Sequence, residues 1–153
     1  MIQGEAPADG AASLETSPFA AATLTPSALD ATTPWVRRWL RAEGVVAFVA
    51  GLMAWVGLGG NPVVLVALIL VPDVSMLGYL RGPRVGAIAY NLVHSWATAG
   101  IVAGAGLLLG QGWLVLAGVL LLTHAGMDRG LGYGLKYPTA FQDTHLGRIG
   151  RSR

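Results

Sequence analysis

Six polar side chains interrupt otherwise apolar stretches of this 153-residue chain: Glu43, Asp73, Asn91, His94, His124 and Asp128. An ionised side chain at the centre of a bilayer costs roughly 2.5–3.5 kcal/mol on insertion scales, so residues of this kind are candidates for function when several converge. His124 and Asp128 are four apart and share a helix face, and Asn91 and His94, three apart, do the same. Two imidazoles and two carboxylates make an N/O donor set suited to zinc or another divalent ion. With one coordination position left to water, such an ion would support hydrolysis of a lipid-like substrate. Asp73, His94, His124 and Asp128 are therefore candidate metal ligands and candidate catalytic groups. Glu43, Ser75, Tyr79 and Asn91 are candidates to line the surrounding cavity.

The spacing alone leaves other chemistries open. A His-x3-Asp pair is less diagnostic than the His-Glu-x-x-His of metalloproteases. Carboxylates in a low dielectric hold their protons and can donate them, which suits a metal-free isomerase or cyclase acting on an apolar substrate. The same cluster would serve binding or transport of an ion or small molecule. In a purely structural protein, each polar group would be satisfied locally.

The elements that must position these residues are apolar helices. The composition is 54% hydrophobic and only 12% charged, with a mean hydropathy of +0.58. A soluble domain of this size needs more charged surface. Four apolar stretches cover about residues 39–58, 62–80, 85–109 and 113–127, the last with an extension to 135, each near the ~20 residues that cross a bilayer core. The expected fold is an all-α membrane protein, a four-transmembrane-helix bundle over residues 35–135. In this reading Pro72 kinks the second helix beside Asp73 and frees the carbonyl of Leu68.

Charge placement sets the orientation. Arg37, Arg38 and Arg41 precede the first stretch, and Arg81 and Arg84 separate the second from the third. Arg129, Lys136, Arg148, Arg151 and Arg153 follow the core of the fourth. In a four-pass arrangement all ten basic residues fall on one side, which puts both termini on the cytoplasmic side of the membrane. All six polar candidates then lie in the cytoplasmic half. The basic residues form no nucleic-acid recognition element. The chain has no cysteine, so disulfides, thiol catalysis and cysteine-held metals are excluded.

Residues 1–34, rich in Ala, Thr, Ser and Pro, carry four acids and no Lys or Arg. They read as a disordered acidic tail. Gly100 and Gly104, Gly106 and Gly110, and Gly126, Gly130 and Gly134 recur at four-residue spacing, which suits close helix contact and homo-oligomer formation through glycine-rich faces. The second and fourth stretches both end with an acid, then Gly-Tyr, then a base, a faint internal repeat. Residues 136–153 read as a cytoplasmic interfacial segment anchored by Tyr137, Phe141, Leu146 and Ile149. Asp143 and His145 would reach back from it to cap the cavity.

The strings PDVSMLGY (72–79), GPRVGA (82–87), YNLVH (90–94), HAGMDR (124–129), GYGLKYPT (132–139) and DTHLGRIG (143–150) resemble the bacterial membrane family catalogued as domain of unknown function 4260. The resemblance covers about residues 36–150 and implies a small multi-pass membrane protein without an assigned activity. A looser likeness is to intramembrane metal hydrolases of the ceramidase and adiponectin-receptor group. In that likeness Asp73, His94 and His124 stand as ligands, while Asp128 replaces the second histidine of the group's final His-x3-His.

Overall fold

The structure is a computed structural model that describes residues 34–150. The acidic tail and Arg151 and Arg153 lie outside the described residues. Helix α1 spans Pro34–Gly57. Its exit is fixed by Trp55, whose indole donates to the Asn61 carbonyl at 3.0 Å. Asn61 then caps α2, Pro62–Leu68, by accepting from the Val63 amide. Proline at the first helical position suits this start, because its missing N–H would be unpaired there anyway.

The expected second helix is not α-helical throughout. α2 ends at Leu68, and Val71–Arg81 is a 3₁₀ helix. Pro72 lacks an N–H, so the α pattern fails at this point. The Asp73 amide reaches back three residues to the Leu70 carbonyl at 3.1 Å. In an α-helix that amide would bond Ile69, so the 3₁₀ step releases the Ile69 carbonyl. The freed acceptor with a consequence is thus Ile69, one residue on from the expected Leu68.

The expected third helix is also two helices, α3 over Pro83–Val93 and α4 over Trp96–Leu108. Ser95 makes the break: its backbone is extended and its hydroxyl accepts the Thr98 amide at 3.1 Å, an N-cap inside an apolar run. α5 spans Gly112–Leu131. It stops where Gly132, in the left-handed region at φ 102°, lets the Gly132 and Tyr133 amides both return to the Asp128 carbonyl.

α5 packs between α1 and α4, while the 3₁₀ helix packs on α3. The glycines at the seam are not all those expected. A Cβ on Gly126 would lie 2.6 Å from the Phe48 amide nitrogen, and one on Gly44 would lie 2.7 Å from that of Gly130. Gly51 faces Thr123, and Gly118 meets Ala103. A Cβ on Gly100 or Gly104 would meet nothing within 4 Å, so neither glycine is required for close helix contact among the described residues. The outward surface is apolar: Val63, Val66, Leu80 and Leu108 are 74–89% exposed. Three segments, Pro34–Gly57, Pro62–Arg81 and Gly112–Leu131, are long and apolar enough to cross a membrane. At 13 residues, α4 alone covers only about 20 Å.

After α5 the chain folds back as a small hairpin, β1 (Asp143–Thr144) paired with β2 (Gly147–Arg148). Lys136 bridges to Thr144 beside it. Thr144, Leu146 and Lys136 are buried. The segment is therefore a folded cap with its own buried residues.

Candidate metal centre

The two irregular joints and α5 bring four side chains to one place. Asp73 comes from the 3₁₀ helix, His94 from the end of α3, and His124 and Asp128 from adjacent turns of α5. One ligand atom from each lies within 4.8 Å of the other three. The Nε2 atoms of His94 and His124 are 2.9 Å apart. Oδ1 of Asp73 is 3.3 Å from the first and 3.4 Å from the second. Oδ2 of Asp128 is 3.7 Å and 3.8 Å away from them. Two ligands bound at 2.0–2.1 Å to a tetrahedral ion lie about 3.4 Å apart, and these five separations fall within about 0.5 Å of such an edge.

The outward nitrogens fix the tautomers. His94 Nδ1 faces the Tyr90 carbonyl at 2.9 Å, and His124 Nδ1 faces the released Ile69 carbonyl at 2.6 Å. A carbonyl only accepts, so each Nδ1 carries the proton. In the neutral rings both Nε2 atoms then present bare lone pairs to one another and to two carboxylates. Four acceptors facing inward at this distance repel unless a metal ion or a proton stands among them. Imidazoles that donate their far N–H to backbone carbonyls are also the usual support of metal-bound histidine.

Tyr90 completes the shell. Its hydroxyl donates to Asp128 Oδ2 at 2.5 Å, and its ring stacks on His94 with centroids 3.7 Å apart. Both histidines are buried, at 3% and 0% exposure. The Asp73 side chain, 28% exposed, is the open edge of the cluster.

The remaining candidates are not among the four grouped donors. Glu43 lies exposed on α1. Ser75 Oγ and Tyr79 Oη are buried without hydrogen-bond partners. Asn91 clamps the chain after α5: it donates to the Lys136 carbonyl at 2.9 Å and accepts the Lys136 amide at 2.7 Å. Asp143 does not reach the cluster but pairs with Arg148 at 2.9 Å and accepts from Thr139. His145 accepts the Leu135 amide at 2.8 Å, fastening the hairpin rather than capping the cluster. Burial, with the nearby Arg129 charge, pushes its pKa down.

Two contributors escaped the reading of the sequence. Tyr90 is one turn before His94, a spacing that could have flagged it. Lys136 looked like one more interfacial cation, yet it is only 4% exposed. Burial pushes its pKa down, against the charges of Asp128 and Asp73.

No curated protein and no solved structure matches the chain. A family model does, over residues 37–149, a span that takes in all four cluster residues, Tyr90 and Lys136. The chain belongs to the family described as Domain of unknown function (DUF4260).

Proposed function

We propose that this chain is a metal-dependent hydrolase embedded in the cytoplasmic membrane, acting on a lipid-like substrate through a divalent ion held by Asp73, His94, His124 and Asp128. The observation that carries the reading is the 2.9 Å approach of two histidine Nε2 atoms whose Nδ1 protons are both committed to carbonyls. Zinc fits this donor set, and when bound it polarises a carbonyl or phosphoryl oxygen and acidifies water. Four protein ligands close a tetrahedron, and hydrolysis needs one place for water. Asp73 at the open edge is the ligand suited to yield that place and to take up the proton.

In this reading the chain crosses four times with both termini cytoplasmic. α3 and α4 together make one crossing, broken at Ser95, because α4 alone is too short for a ~30 Å core. The one-sided placement of Lys and Arg supports the orientation. The absence of native cysteine allows a clean test with an impermeant maleimide. Asn61→Cys and Gln111→Cys should label in intact cells and Arg84→Cys only after lysis, and the reverse pattern would overturn the topology.

The His94–His124 contact would equally hold a shared proton, which favours metal-free acid–base chemistry as the second reading. Elemental analysis of detergent-purified wild type, His94→Ala and His124→Ala separates the two. The metal reading expects near-stoichiometric divalent ion in the wild type and its loss in both variants. A wild type that stays empty after zinc reconstitution sinks the hydrolase reading and leaves the proton-sharing one.

A further inference from the structure

Lys136 has no function in the cluster just described, yet it is built into its wall. Its backbone is held on both sides by the Asn91 side chain, one turn from His94. Its Nζ lies 4.0 Å over the Phe141 ring, 5.0 Å over Tyr90 and 5.7 Å over Tyr133. Tyr90 thus contacts the metal-site residues with its hydroxyl and the ammonium with its ring. Nζ is buried and makes no hydrogen bond among the described residues. Three more donors share that condition: Arg129 Nη1, whose guanidinium lies over the Trp96 ring, and Ser75 Oγ and Tyr79 Oη on the 3₁₀ helix that carries Asp73. The Tyr79 ring packs edge-on against Phe141, at 5.3 Å between centroids, so Tyr79 and Lys136 meet the same ring.

An ammonium with three unmet N–H groups is costly to bury, and aromatic faces return only part of the cost. The charges sharpen the point. Two carboxylates balance a divalent ion held by neutral imidazoles, and Lys136 is then left without a counter-charge. We propose that Lys136, with Tyr79 and Ser75, seats an oxyanionic group, phosphate or carboxylate, of the substrate beside the metal centre. The substrate would be an anionic amphiphile. This inference deepens the hydrolase reading and rests on it for the charge balance.

The test uses full-length protein in phosphatidylcholine nanodiscs, with and without zinc. Inorganic phosphate, octyl phosphate and octanoate are titrated and followed by NMR. The wild type should bind at least one of them, and Lys136→Met should bind it at least about tenfold more weakly, the worth of a charge-assisted hydrogen bond. Lys136→Arg should keep most of the affinity, and Tyr79→Phe should lose part of it. Zinc stoichiometry should be unchanged, and the thermal midpoint of Lys136→Met should hold or rise, because an unpaired buried cation is being removed. Tighter octyl phosphate than inorganic phosphate would mark a lipid as the source of the anion, and equal affinity a free phosphate. Binding of none of the three probes, undiminished binding by Lys136→Met, or a Lys136→Met protein that fails to fold would each overturn the proposal. A wild type without zinc refutes the metal reading alone. If that metal-free protein still loses anion binding in Lys136→Met, the seat stands.

Discussion

Along the seam of α1 and α5, one regular helix face lies against another, and glycine sets the distance. Gly44, Gly51 and Gly126 bring backbone against backbone or against a short side chain. Across the 3₁₀ helix and α3 the backbone is irregular, and the contacts that matter run between polar side chains and released carbonyls. The first region holds α5 in place. The second uses two interruptions, at Pro72 and Ser95, to turn Asp73 and His94 toward His124 and Asp128 on that fixed helix. A regular helix satisfies all its carbonyls internally, which membranes favour. The break at Ile69 gives the site a carbonyl with no helical bond to share, whereas the Tyr90 carbonyl serves His94 Nδ1 while still accepting the His94 amide.

The comparison predicts that the regular half is intolerant of size and the broken half intolerant of lost polar groups. The largest effect is expected at the seam. A leucine at Gly126 would press on the backbone of Phe48, and overpacking of this kind costs about 1–3 kcal/mol or more. Gly126→Leu should therefore fail to fold or melt far below the wild type. Gly104→Leu, with open space around it, should stay within about 0.5 kcal/mol. Equal melting temperatures for the two variants would break the contrast.

A smaller effect, without loss of fold, is expected in the other half. Tyr90→Phe removes the donor to Asp128 but keeps the ring on His94. Zinc affinity measured by competition with a chelator should fall about 10–100-fold, as for other residues that support metal ligands. Unchanged affinity would show that Tyr90 does not orient Asp128.

The smallest effect concerns the hairpin. His145 must be neutral to accept the Leu135 amide, and burial and Arg129 push its pKa below the ordinary 6.5. A base with a depressed folded pKa takes up more protons when unfolded, so stability rises with pH across that window. The contribution is complete above about pH 6.5 and fades as pH falls toward the folded value. Protection of residues 136–150 in hydrogen exchange should weaken on acidification through that range. His145→Gln should flatten the dependence, and a wild-type profile already flat would refute the linkage.

Much of this was legible in the sequence, for a definite reason. Asp73, His94, His124 and Asp128 stand out because an ionisable group in an apolar run is costly, and the structure brings all four together. The helix breaks were harder to read. Hydropathy does not register a serine that caps a new helix, and it cannot distinguish 3₁₀ from α downstream of a proline. Glycine spacing alone does not say which face meets a neighbour within the chain: Gly106 and Gly126 do, Gly100 and Gly104 do not. Gly44 and Gly51, seven apart, were passed over although they carry the seam. Lys136 was hidden by its own plausibility as an interfacial charge, since its burial depends on a hairpin formed by residues after it.

The most direct test of the central claim is zinc K-edge X-ray absorption on the reconstituted protein. The account predicts four N/O scatterers at about 2.0 Å, two of them imidazoles, in the wild type and no bound zinc to measure in His94→Ala. A shell of six oxygens with no imidazole would contradict it, because the ion would then not lie between His94 and His124.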